Sequence, residues 1–382
     1  MPFYQKNGQL PNKRHIQFRD KDGKLYWEEL ISREGFSNIY SNLYHLNPPT
    51  AIQKVGEIIP NSFKIRNEEH RHHHLKTRDL NLTGDAISSR EPLFFNNDVI
   101  LSKAMATKNM EYLYRNGHND ECLFVHSGSG RLLTNLGNLK LKQGDYAIIP
   151  RGVIWQIEVI EALEILVIET TGPIQAPKRY RNNVGQLLES SPYSERDLKL
   201  PSLDSPIINK SAQVKVKLSK GLQSYEYKYH PFDVIGWDGY FFPWVFNVND
   251  FMPVTGKVHQ PPPVHQVFEA PGIVICNFVP RLFDYHPEAI PAPYAHSNVD
   301  SDEILYYVSG DFMSRKGVEP GSITFHPAGL PHGPQPGKIE ASLSLKEANE
   351  IAVMIDTFKP LEMTNKTKSI DDNQYPMSWL EE

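Results

Sequence analysis

Tyr294-Ala295-His296-Ser297-Asn298-Val299-Asp300-Ser301-Asp302-Glu303-Ile304-Leu305-Tyr306-Tyr307-Val308-Ser309-Gly310 is the stretch whose reading decides the fold. A turn leads from it into Gly321-Ser322-Ile323-Thr324-Phe325-His326-Pro327-Ala328-Gly329-Leu330-Pro331-His332. The first half reads H-x-N-x4-E-x6-G and the second G-x5-P-x-G-x2-H. The run after Glu303 is rich in Ile, Leu, Tyr and Val and stops at a glycine, as a buried strand does. Ser322 to Phe325 predicts a second strand, and Pro327-Ala328-Gly329 the turn before a third. Short strands joined by tight turns bring His296, Glu303 and His332 onto one interior face. Two imidazoles and one carboxylate there leave half an octahedron open, the facial triad of non-haem Fe(II) chemistry.

The same spacing resembles the two motifs of the cupin superfamily, which folds as a small double-stranded β-barrel. Many cupins carry a histidine where this chain has Asn298. A metal held without that fourth ligand keeps positions for both substrate and oxygen. The bland alternative is a metal-free barrel whose histidines are satisfied in its core.

Working outward, residues 92–172 repeat the pattern in weakened form. His118-Asn119-Asp120-Glu121 leads through Cys122-Leu123-Phe124-Val125 to Gly128, which keeps E-x6-G. Gly144 through Pro150-Arg151-Gly152 to Trp155 keeps G-x5-P-x-G-x2, with Trp155 where a ligand belongs. No His-x-[His/Asn] precedes Glu121, so this barrel is read as scaffold. The expected fold is therefore all-β: a bicupin of two jelly-roll barrels with a β-rich N-terminal extension, only the second barrel carrying a metal site. The expected divisions are an extension at 1–91, the degenerate barrel at 92–172, an irregular wrapping linker at 173–225, and the catalytic barrel with its tail at 226–382.

Composition supports the class. The 30 prolines and 24 glycines cut the 382 residues into short elements, and long helical periodicity is scarce. A net charge of −5 with no basic stripe argues against nucleic acid. No apolar run reaches the length of a membrane span, and Met1-Pro2-Phe3-Tyr4-Gln5-Lys6 lacks the apolar core of a signal peptide. Cys122 and Cys276 lie in separate strand-like segments with no CxxC, so a reducing, cytoplasmic setting is expected. His70-Arg71-His72-His73-His74 invites a metal reading. Neighbouring side chains on a strand point to opposite faces, so a cationic surface or interface patch is the expectation. His265 and His286 are expected at the surface, and a mixed helical segment with a polar tail from Leu345.

Several separate stretches agree with one family. Phe232-Asp233-Val234 with Gly236-Trp237, the His259 segment, Pro280-Arg281, Tyr294-x-His296-x-Asn298 with Glu303, and Leu330-Pro331-His332-Gly333-Pro334 together resemble the homogentisate 1,2-dioxygenases. The likeness is dense over roughly 232–337 and looser before that. It implies an Fe(II) enzyme of tyrosine and phenylalanine breakdown that opens the ring of homogentisate, a small aromatic acid, with O₂ to give maleylacetoacetate. Carried over by motif, the metal ligands are His296, Glu303 and His332, the catalytic histidine is His259, and Tyr294 and His326 bind substrate. The resemblance also implies trimers paired into hexamers. Phe312 stands where better-known members place a substrate-contacting tyrosine, and many of them have one residue fewer before the glutamate.

Other classes use related parts. A gentisate or 3-hydroxyanthranilate dioxygenase would share fold and iron, although gentisate enzymes resemble a three-histidine site. A metal-dependent cupin isomerase or sugar-binding module tends to keep four ligands, against which Asn298 counts. Oxygen uptake separates these classes.

Overall fold

The protein is described here by a computed structural model covering residues 3–61, 63–67, 69–257 and 259–380. Met1-Pro2, the start of the stretch read for a signal peptide, lies outside the described residues. Runs of β-branched and aromatic residues between prolines and glycines form strands throughout, and among the described residues the one α-helix is Lys338–Ser342. Among the described residues no helix is long and apolar enough to cross a membrane.

The weakened sequence repeat is a repeat of strand order. In the second copy the sheet runs His73–Lys76, Ser322–His326, Asp302–Gly310, Glu350–Thr357, Ile273–Phe278, Gln266–Ala270. In the first copy the same succession is Trp244–Asn247, Asp145–Ile149, Asp120–Thr134, Ile154–Thr170, Val99–Ala106, Glu91–Phe95. Glu121 and Glu303 open equivalent strands, and each strand reaches a glycine seven residues on. Gly128 (φ 89°) and Gly310 (φ 100°) are left-handed, and a Cβ at either would meet a carbonyl oxygen, Ala162 O or Asn349 O, at 2.0 Å. Only glycine fits there, which is why E-x6-G survives in both copies.

Packing follows from the apolar runs. Cys122 to Val125 and Leu163 to Ile168 are buried without alternation, because both faces of the central strands are covered. Each such Leu, Ile or Val contributes about 1.5–3 kcal/mol by leaving water. Trp237, prominent in the sequence, is a core residue whose indole N–H donates to Leu136 O at 2.7 Å. Its strand, Val234–Gly239, joins a separate four-stranded sheet with Gln5–Gly8, Tyr40–His45 and Trp27–Ser32.

Four expectations are corrected. The stretch expected to be an irregular linker holds a hairpin, Ala212–Leu218 with Gly221–Tyr227, because its Val and Tyr alternate with Lys and Gln at strand period. The segment after Leu345 is no helix: Glu350–Thr357 is a central strand of the second sheet. His265 is buried (4% exposed), its ring against Phe278, and burial pushes its imidazole down to about 3. His73 and His74 are also buried, at 1% and 2%, and form no surface patch. Their strand lies against Ser322–His326, with His73 opposite Phe325 and His74 opposite Thr324. The two rings do point apart, His73 to Asp371 and His74 to Ser322, but both sides of the strand are covered.

Candidate metal centre

His296 and His332 face each other across a single antiparallel bridge, each backbone N–H donating to the other's carbonyl, at 2.8 and 2.9 Å. Directly opposed residues of an antiparallel pair share a face, so the two imidazoles lie side by side, ring centres 4.3 Å apart. Glu303 opens the strand Asp302–Gly310 and is opposed by His326 on one side and Asp356 on the other. The preceding Asp302 fixes the strand's start by accepting from Ala328 N and Leu361 N, both at 2.7 Å. Gly329 N donates to Asn298 O at 2.7 Å, which ties the two motif loops together.

One ligand atom from each of His296, Glu303 and His332 can be chosen so that all lie within 4.8 Å of one another. His296 Nε2 is 3.8 Å from Glu303 Oε2, and His332 Nε2 is 3.3 Å from Glu303 Oε1. His332 Nε2 is buried and makes no hydrogen bond, an orphaned donor-set atom that a metal would satisfy. Two imidazole nitrogens and a carboxylate oxygen on one face suit a first-row divalent metal with open positions. The residues fit the group.

Electrostatics centre on Glu303. Burial opposes its charge, yet its contacts with His296, His326 and His332 hold the carboxyl well below the usual range. The contact with Glu303 raises His296, with burial opposing. Asp356 has a buried, unpartnered Oδ1; burial, then the neighbouring charge of Glu303, pushes it up to about 7.

Supporting side chains arrive from far along the chain. His326, fully buried, donates from Nδ1 to Glu303 Oε1 at 2.8 Å and accepts from Tyr375 Oη at Nε2 at 3.2 Å. Both its nitrogens are engaged within the chain, one by Glu303 and one by Tyr375. His72 lies against His326, His332 and Trp379, with ring centres 5.4, 6.0 and 5.2 Å apart, and donates to Pro331 O at 3.1 Å. Arg315 donates to Gly333 O at 2.6 Å. Asp356, Tyr375 and Trp379 carry no signal in the sequence; His72 stands in the cluster expected as a cationic surface or interface patch.

Tyr294 is exposed, its ring 5.1 Å from His259 and 6.5 Å from His296, so the three form a file leading from solvent toward the cluster. His259 is exposed too. Phe312 is buried on Tyr307, ring centres 4.8 Å apart.

The first copy keeps this geometry with different atoms. Tyr114 pairs with Trp155 as His296 pairs with His332, and Tyr114 lies seven residues before Glu121 as His296 lies seven before Glu303. Tyr114-x-Asn116-x4-Glu121 is thus the missing half-motif, and His118 lies outside it, accepting from Ser219 N at 3.1 Å. Trp155 Nε1 donates to Glu121 Oε2 at 3.1 Å. Arg90 Nη1 donates to Glu121 Oε1 at 2.6 Å and to Glu169 Oε1 at 3.2 Å, Glu169 being the counterpart of Asp356. A guanidinium takes the cation's place.

This is a mostly β protein whose one described cluster of candidate metal ligands is His–Glu–His. Comparison narrows this. The family model "Homogentisate 1,2-dioxygenase N-terminal" matches residues 87–248. A "putative dioxygenase" of Saccharolobus solfataricus is 44% identical over 99% of both chains. Homogentisate 1,2-dioxygenases of Nitrobacter hamburgensis and Legionella pneumophila are 27% and 28% identical over 68% and 64% of this chain, which spans 61% of each. Among solved structures, a cupin 2 conserved barrel domain protein from Leptotrichia buccalis aligns over 79% of this chain and all of its own, at 10% identity and a TM-score of 0.34. The chain belongs to the homogentisate 1,2-dioxygenase family.

Proposed function

We propose that the protein is an Fe(II)-dependent ring-cleaving dioxygenase that converts homogentisate and O₂ to maleylacetoacetate, both oxygen atoms entering the product. The observation that carries the reading is the cluster of His296, Glu303 and His332 with His332 Nε2 left without a hydrogen bond, in a chain of this family. Those three residues would hold the iron, which supplies a template and a path for electrons between ring and oxygen. The remaining work falls to the chain. His326 orients Glu303 and is itself held by Tyr375, so the carboxylate presents one oxygen in a fixed direction. Tyr294 places a phenol at the open edge of the cluster, where it donates to a bound carboxylate or hydroxyl. His259, against Tyr294, accepts the substrate phenol proton. Trp379 and His72 cover the ligands from behind and keep water from that side. A cytoplasmic setting and assembly as trimers paired into hexamers go with this reading.

The test is oxygen uptake by Fe(II)-loaded protein over homogentisate, gentisate and 3-hydroxyanthranilate, with the product identified by mass. Uptake with homogentisate and a product heavier by two oxygen atoms is expected. Uptake with another acid alone would reassign the substrate, and none with any would remove the dioxygenase reading.

A further inference from the structure

The first copy has lost metal ligands but not its cavity. A space of about 1180 Å³ opens over Tyr114 and Asn116, the residues that correspond to His296 and Asn298. It is therefore the first copy's counterpart of the side on which the second copy would receive its substrate. Its floor carries basic groups, Arg90, only 7% exposed, Lys217, 22% exposed, and Arg151, which are ion-paired with Glu121, Glu169 and Asp120. Lys217 spends two of its three N–H donors on Glu169, at 2.6 Å to each oxygen, which leaves one. Arg90 Nη2 is buried and has no hydrogen-bond partner, and the guanidinium lies 5.5 Å from the Tyr114 ring centre and 5.7 Å from that of Trp155. Above this floor Ile100 and Leu222 are half-buried on the wall. A basic floor under an apolar wall, in a cleft of this size, suits a ligand with an anionic head and an apolar body.

We propose that the first copy is a second, metal-independent small-molecule site, and that it takes an organic carboxylate, with the carboxylate on Lys217 and the apolar body between Ile100 and Leu222. The fixed guanidinium of Arg90 does there what a metal does in the other copy, holding Glu121 and Glu169 in place. No bond is made or broken. The site is a receptor built on the remains of a reaction centre.

Calorimetric titration of the full chain carrying His332→Ala, which lacks a ligand of the other site, reports on this pocket alone. Benzoate is the probe and benzyl alcohol its uncharged control. One saturable benzoate site per chain is expected, with benzyl alcohol weaker by about tenfold or more, the worth of a charge-assisted hydrogen bond. Lys217→Met should erase that preference. Leu222→Trp, which fills the wall without touching the ion pairs, should abolish binding of both probes and decides the matter if Lys217→Met fails to fold. Absence of saturable binding, equal affinity for the two probes, or binding unchanged by Leu222→Trp overturns the proposal.

Discussion

In one copy of the repeat a carboxylate, Glu303, faces three imidazoles, one of which, His332, has a nitrogen without a hydrogen bond; in the other the equivalent carboxylate, Glu121, faces a tyrosine, a tryptophan and an arginine. The backbone hardly distinguishes them. Strand order, the paired bridge before the second ligand and the left-handed glycine seven residues past the glutamate are common to both. What differs is how the buried negative charge is compensated. Arg90 is covalently part of the chain, so the first copy is neutralised as soon as it folds. In the second copy Glu303 leans on histidines, whose nitrogens are also the atoms a metal needs. A buried carboxylate demands a cation in either case, and only the removable kind leaves positions for chemistry.

The contrast can be broken at several points. The largest effect is expected at the ligands: His296→Ala, Glu303→Ala or His332→Ala should remove bound iron and turnover while leaving a folded chain. Metal analysis after anaerobic loading, together with circular dichroism, checks this, and full iron in any one variant contradicts the assignment. Next, His259→Gln should retain iron and lose roughly 10²–10⁴-fold in turnover, the range for a proton-transfer group; a steady-state rate equal to that of the parent across neutral pH returns His259 to the loop. Third, Arg90→Met should leave Glu121 and Glu169 short of their cation and cost about 3–5 kcal/mol in a urea titration. If it costs no more than His332→Ala, the guanidinium is not the first copy's counterpart of a metal.

A fourth effect lies on the seam between the copies. Lys103 of the first donates to Tyr306 of the second at 2.6 Å and to Glu164 at 2.9 Å, and His126 stands 2.8 Å from the same phenol. Arg78 lies beside His126 and Glu164. Burial lowers Lys103 from 10.5 to about 8. Between those values the unfolded chain binds the proton more tightly than the folded one, so stability should rise with pH above 8. Burial holds Tyr306 well above 10, so the phenol works the other way only at higher pH. The gain between pH 8 and 9.5 should be on the order of 1 kcal/mol in denaturant midpoints, and Lys103→Met should flatten it. The smallest effect is none at all: Trp155→His or His118→Ala should leave the metal content at one iron per chain, since Tyr114 and Arg90 remain. Two irons in the parent protein, or iron lost with His118, would assign the chemistry to the wrong copy.

The motif glycines and prolines made the repeat legible because turns constrain residue type tightly, so E-x6-G and G-x5-P-x-G outlasted the ligands. The half-motif Tyr114-x-Asn116 is hard to see because it has no histidine, and its spacing to the glutamate is the surviving signal. Arg90 sits 31 residues before Glu121, and nothing local marks it as a partner. Adjacent histidines on a strand do diverge, as His73 and His74 show, but that rule is silent on whether each face is covered. Tyr375 and Trp379 sit in a polar tail whose short 3₁₀ turn has no periodicity to read.

The strand His73–Lys76 completes the second sheet, and His74 waits for Ser322, 248 residues further on; His73 waits 298 residues for Asp371. At a synthesis rate of about 5–20 residues per second, that delay is on the order of tens of seconds. Until then the strand His73–Lys76 lacks its sheet neighbour, and Glu303 lacks the backing of His326 and Tyr375. A metal at His296, Glu303 and His332 would therefore meet a fully backed carboxylate only once Tyr375 has been added, long after the strand His73–Lys76 is made.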